Sequence, residues 1–370
     1  MKLLSCNVRS FALASLVLRA AAADCDCGYT TDVGTGDNVR NALFTDAFET
    51  DFRHVADLKA SEWRPQTYNK TAEITPTNHG RLYSNASTLA NTVGPDAGLQ
   101  LVVGSQVVDN LVRSGEVAAK RKDFFHGSYR ASIKLSSEPG TCAAFYWYFN
   151  DTQEIDMEFL SKEFHTENSS YPVNIVLHSP LSAAHGFDAV KAGTWTQAFL
   201  PFNPTDGFHE YRFDFVPDVV YFYADGEYLT QMTGAAVPTV GGQLLMNHWS
   251  NGKATWTGGP PKKDAVMTVA YVKTYFNSSS PERQAEWQKR CPDIAKGSVC
   301  ALPSLAEKNS GETFFNLTSL NGGDSASGSD SGGSSASATD GGKSAGFMVS
   351  PSSVAVLLST GMVSYFLSSL

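Results

Sequence analysis

Glu154-Ile155-Asp156-Met157-Glu158-Phe159-Leu160 alternates acidic and apolar side chains without a break. Period two is the mark of an extended strand, whose successive side chains point to opposite faces. Glu154, Asp156 and Glu158 then share one face, while Ile155, Met157 and Phe159 enter an apolar layer on the other. Working outward, the same period recurs. Tyr129, Ala131, Ile133 and Leu135 alternate with Arg130, Ser132 and Lys134, so one face is buried and one is wet. Short aromatic and β-branched runs also span Leu99 to Val103, Gly127 to Leu135, Ala143 to Asn150, Val173 to Leu177, Phe208 to Val216 and Val219 to Tyr223. Asp225-Gly226, between Tyr223 and Tyr228, is a hairpin turn. The expected fold is therefore all-β: a jelly-roll sandwich of two antiparallel sheets. Helix signals are scarce before Pro281, after which Glu282 to Arg290 suits a short helix carrying Cys291.

Three acids in a row on one face repel one another, and a strand gains no stability from that. The arrangement makes sense as the floor of a sugar-binding cleft. Glycoside hydrolysis needs two carboxyl groups in opposite protonation states, one attacking the anomeric carbon and one donating to the leaving oxygen. A charged carboxylate raises its neighbour's pKa, so proximity itself creates the unequal pair. Residues four apart on a flat strand lie about 13 Å apart at Cα, whereas retention of configuration needs carboxyls roughly 5 Å apart. A concave floor is expected, with Asp156 between the two glutamates. Such a pattern arises by chance in roughly one chain in three of this length, so context must separate it from a solvated strand face.

The two ends read as addresses. Lys2 and Arg9, the apolar run from Phe11 to Leu18 and the alanines at 20–23 fit an export signal over residues 1–23. The stretch from 303 to 344 becomes rich in Gly, Ser, Ala and Asp, a composition that cannot offset its own ordering entropy. An uncharged apolar tail closes residues 345–370, the pattern of a GPI-attachment signal with Ser344 as the preferred site. Gly341 and Gly342 are alternatives, and a plain membrane helix is the competing reading of the tail. Between these ends lie a cysteine-bearing segment (24–36), one large domain (37–277) and an extension (278–302). The expected location is the cell surface, on a GPI-anchored membrane or in the cell wall. Five cysteines follow the export signal, so one is left over. Cys291 with Cys300 reads as a local clip, and Cys142 as a partner for Cys25 or Cys27. Sequons at Asn69, Asn85, Asn168, Asn277 and Asn316 fit glycosylation in an export compartment, with Asn150 less suited beside the acids.

The net charge of −9 is spread out and no basic run exists, which argues against a nucleic-acid partner. No glycine-rich phosphate loop or zinc-ligand spacing is present, so no cofactor is expected, and nothing in the sequence calls for a structural calcium. A monomer is expected.

The EIDMEF strand resembles the Glu-Ile-Asp-x-Glu signature of glycoside hydrolase family 16, the group of lichenases, laminarinases and cell-wall transglycosylases. It has the regular-strand form, without the extra bulge residue of many laminarinases. Phe124 to Tyr129, Gly207 to Tyr211, Val220 to Gly226 and Met246 to Trp249 resemble further family segments, in the family's order. The resemblance implies a concanavalin-like jelly roll and retaining cleavage of β-glucan through a covalent glycosyl-enzyme. It implies Glu154 as nucleophile, Asp156 as assistant and Glu158 as acid/base. A transglycosylase using the same acids, and a glycan-binding module without catalysis, are the alternatives. The His248-Trp249-Ser250-Asn251-Gly252 segment and the Gly258-Gly259-Pro260-Pro261 loop depart from the fungal wall transglycosylases.

Flat aromatic rings suit the apolar faces of sugars. Tyr146, Trp147, Trp249 and Trp256 are candidate platforms; Trp147 reads equally well as core, while Trp249, before a turn, is expected in the cleft. His209 reads as orienting a carboxylate or sugar hydroxyl, or as a structural histidine. Asn247 reads as a hydroxyl ligand or a turn-closing residue.

Overall fold

The structure, a computed structural model, describes residues 25–72, 78–307 and 310–317. The export signal, Ser344 and the apolar tail lie outside the described residues.

Two large sheets face each other, antiparallel except where Leu111–Ala119 pairs in parallel with Gly80–Tyr83. The first runs Trp195–Phe199, Pro172–His178, Gln153–Leu160, Cys142–Asn150, Gln243–Trp249, Leu111–Ala119, Gly80–Tyr83 and Tyr68–Lys70. The second runs Glu227–Thr233, Val219–Ala224, His209–Val216, Phe124–Lys134, Ala265–Ser278, Gly98–Val103 and Thr88–Asn91. Each expected strand is present, with ends moved by a residue or a few. Asp225 and Gly226 take positive φ, as a tight two-residue turn between right-twisted strands requires. The expected short helix spans Pro281–Arg290, capped by the Ser280 hydroxyl on the Arg283 N–H.

The core is made where the inner faces meet. Ile155, Met157 and Phe159 from the first sheet join Tyr129, Ala131, Ile133, Tyr211, Phe213 and Phe215 from the second in one apolar cluster. Burial of the larger of these side chains, such as Ile155, Met157 and Phe159 at roughly 1.5–3 kcal/mol each, fixes the register. A one-residue slip would drive all three acids into this layer.

A small third sheet corrects the cysteine expectation. Gly28–Val33 pairs with Arg40–Phe44 on one side and in parallel with Val299–Ala301 on the other. That parallel pairing brings Cys25 to Cys300, with Cα atoms 5.4 Å apart. Cys291, at the end of the helix, meets Cys27 at 5.0 Å. The bonds are thus Cys25–Cys300 and Cys27–Cys291, not the local Cys291–Cys300 clip, and Cys142 is a buried free thiol. Strand pairing over such a separation leaves no trace in cysteine spacing. Residues 310–317 lie along the second sheet, where the Lys273 ammonium donates to the carbonyls of Ser310, Gly311 and Thr313.

Of the sequons, Asn69, Asn85, Asn168 and Asn316 are exposed. Asn277 is half-buried, its amide oxygen accepting from the backbone and hydroxyl of Thr45.

Candidate active site

The acid strand Gln153–Leu160 lies inside the first sheet, antiparallel to both neighbours. Register sets Glu154 opposite Tyr148 and His178, Asp156 opposite Tyr146 and Val176, and Glu158 opposite Ala144 and Asn174. All three acids stand on the face away from the core, as their parity with Ile155 and Met157 demands. They are nevertheless nearly dry, at 3, 1 and 1% exposure.

Burial dominates their chemistry. Glu154 is pushed up to about 8 by burial; contact with Asp156 pulls against the rise and the charge of Glu158 adds to it. Burial likewise pushes Glu158 up to about 7, with the Cys142 thiol and the Arg81 charge drawing it down. Asp156 rises well above the carboxylate range, through burial first and then the charges of its two neighbours. Both oxygens of Asp156 and Oε1 of Glu154 are buried without a hydrogen-bond partner. Uncompensated carboxylates in such a place are costly, so burial and mutual repulsion oppose full ionisation of the ladder. That is the condition a shared acid/base pair needs.

Other side chains complete the face. A ligand atom from each of Glu154, Asp156 and His178 lies within 4.8 Å of the others, the one such group among the described residues with metal-ligand chemistry. A cation there would take the oxygens that sugar chemistry requires. His178 Nε2 is 3.9 Å from Asp156 Oδ2, but burial and the Lys70 charge push the imidazole down to about 4, so the approach is not an ion pair at neutral pH. Lys70 is itself drawn down to about 7 by burial and then by Arg81. Arg81 lies over the Trp249 ring, 4.3 Å from its centroid. Further along, Glu116 accepts from the hydroxyls of Tyr68 and Tyr146, each at 3.2 Å. Beside Glu158, Asn174 accepts from Trp195 and Gln197 and donates to Glu163.

The structure sorts the candidates from the sequence. Tyr146 shares the acid face through its register with Asp156. Asn247 shares it opposite Ala144, and Trp249 opposite Cys142. Trp256 joins Trp249, Cys142, Leu160 and Val176 in an apolar cluster on that side. Trp147 does not belong there. It has the opposite parity, packs edge-on to Phe215 at 5.4 Å and donates to the Phe124 carbonyl, so it is core. His209 is on the second sheet, stacked on Phe202 at 3.6 Å with Nδ1 2.7 Å from Asp225 Oδ2; it closes a hairpin and orients no acid of the ladder. Lys70, Arg81, Glu116, Cys142, Asn174 and His178 were not legible as site residues. Each comes from a strand whose neighbours only the tertiary pairing reveals.

Comparison with known proteins decides the family. The sequence profile described as glycosyl hydrolases family 16 matches residues 70–273, more than half of the chain and the whole acid ladder. The chain belongs to glycoside hydrolase family 16. Among curated relatives, a beta-glucanase of Paenibacillus macerans is 32% identical over 139 residues, covering 36% of this chain and 52% of its own. A beta-glucanase of Acetivibrio thermocellus is 29% identical over 173 residues, 45% of this chain and 46% of its own. The chain thus spans about half the length of these relatives. Among solved structures, the Bacillus licheniformis beta-glucanase superposes with a TM-score of 0.48 at 18% identity, over 62% of this chain and 97% of that one. The endo-beta-1,3-glucanase of Pyrococcus furiosus gives 0.49 at 18%, over 68% and 98%.

The acid face is enclosed, its three carboxyl side chains being nearly inaccessible. The segment between Pro172–His178 and Trp195–Phe199 carries Phe187, 6.2 Å from the His178 ring, and Ala189, which enters the Trp249–Trp256 cluster. The loop carrying Trp256 is fastened by the Lys162 ammonium on the Ala254 carbonyl.

Proposed function

We propose that this chain is a retaining endo-β-glycosidase acting on cell-wall β-glucan of the β-1,3/1,4 type. The observation that carries the reading is the enclosed line of Glu154, Asp156 and Glu158 on one face of a family 16 sheet. Glu154 attacks the anomeric carbon as its carboxylate while Glu158 gives its proton to the glycosidic oxygen. Bound sugar must therefore reverse the order of the two groups in the empty site, where Glu154 stands at about 8 and Glu158 at about 7. Once ionised, Glu158 takes a proton from the incoming acceptor, whose oxygen displaces Glu154 with a second inversion. Asp156 sits within coupling distance of Glu154 and buffers the change of charge. Tyr146, Asn247, Trp249 and Trp256 line the substrate side. No metal or cofactor enters these steps.

Near-complete shielding of the acids favours a second reading, transfer to a sugar hydroxyl rather than to water, because a covalent intermediate kept dry survives until an acceptor arrives. The two disulfides and exposed sequons support an exported, surface-held protein. The test is turnover of mixed-linkage, β-1,3- and β-1,6-glucan and of xyloglucan, with sizing of products in the presence of a labelled oligosaccharide. Internal cleavage of mixed-linkage or β-1,3-glucan is expected, and labelled chains longer than the donor mean transfer. Binding without bond cleavage on every glucan would contradict the reading in favour of a glycan-binding module.

A further inference from the structure

Cys142 is the one cysteine among the described residues outside a disulfide, and it stands on the acid face. Ala144 and Tyr146, of the same parity on Cys142–Asn150, lie opposite Glu158 and Asp156, and Cys142 lies opposite Leu160, one same-face step beyond Glu158. Its side chain is wholly enclosed. Sγ is 3.6 Å from Oε1 of Glu158, within reach of a thiol hydrogen bond, while the Ala143 carbonyl at 3.8 Å is the competing acceptor. On the other flank of Glu158, Asn174 has its amide engaged by Glu163, Trp195 and Gln197. Arg81 acts on Glu158 through its charge.

Resting on the reading of Glu158 as acid/base, we propose that Cys142 is a positioning residue whose thiol donates to Oε1 and leaves Oε2 turned toward the glycosidic oxygen. A thiol suits this task because it is a weak donor. It orients the carboxyl while stabilising the ionised form only slightly, so that Glu158 still holds its proton at working pH. A hydroxyl at this position donates more strongly and favours the carboxylate; an alkyl group releases the carboxyl altogether.

The test compares pH profiles of kcat/KM for the full chain, Cys142→Ala and Cys142→Ser on the glucan it cleaves, with the infrared S–H stretch of the wild type and Glu158→Leu. The alkaline limb is expected to move up by roughly half a unit in the alanine variant and down by a similar amount in the serine variant. KM should change little, and the S–H band should lie at lower frequency in the wild type than in Glu158→Leu. Coincident limbs, limbs displaced in the same direction, or an S–H band indifferent to Glu158 would each overturn the proposal. Should the wild type cleave no glucan, the functional reading fails separately, and the infrared comparison still decides whether the thiol serves Glu158.

Discussion

At the scale of single residues, parity along a strand separates chemistry from packing. Glu154 and Trp147 are both shielded and seven positions apart, yet they face opposite layers. Glu154→Gln removes the attacking oxygen while keeping shape, so turnover should fall by at least about 10³-fold while oligosaccharide affinity, read by calorimetry, survives. The same substitution also changes stability with pH. Burial raises Glu154 from 4.5 to about 8, so the native state binds the proton more tightly than the unfolded chain. That contribution is full below the unfolded value and is lost as pH rises through 8. The glutamine variant should therefore gain in melting temperature relative to wild type between pH 5 and pH 9; a constant difference would mean that Glu154 is not held dry. Trp147→Ala should instead cost about 3–5 kcal/mol of stability, measured by denaturant titration, with kcat/KM of the folded fraction little changed.

Among elements, the acid strand is held by its two neighbours and by its own apolar half, so the ladder's geometry is a by-product of the core. The alternation in residues 154–160 and the Asp225-Gly226 turn was enough to place strands and hairpin, because both are local signals. Partnerships between distant strands were not legible. Nothing in the sequence around Glu116 or His178 announces that pairing places them beside Asn247 and Glu154. The cysteines show the same limit, since the parallel pairing of Gly28–Val33 with Val299–Ala301 selects Cys300 for Cys25. Aromatic run 145–149 was ambiguous because alternation gives two faces without saying which is wet. This sheet also tests whether the bridges serve stability alone: replacing both Cys27 and Cys291 by Ala should cost about 2–5 kcal/mol in a thermal or denaturant melt. Activity at 25 °C should be retained, because the third sheet contributes no residue to the acid face.

For the molecule as a whole, the sandwich divides its work between an apolar interior and an enclosed polar face on the outside of one sheet. Family membership rests on the profile match across 70–273, and the acid face within that span supplies a chemical reason for it. The acid face of the expected cleft is enclosed, with Phe187 near His178 and with Ala189 and Trp256 in the apolar cluster beside it. The most direct test is to trap the reaction with an activated 2-deoxy-2-fluoro β-gluco-oligosaccharide and map the adduct by peptide mass spectrometry. A stoichiometric glycosyl ester on Glu154, absent in Glu154→Gln, is the predicted result. An adduct on a residue outside the ladder, or glucan cleavage whose first product is the inverted α-anomer, would contradict it.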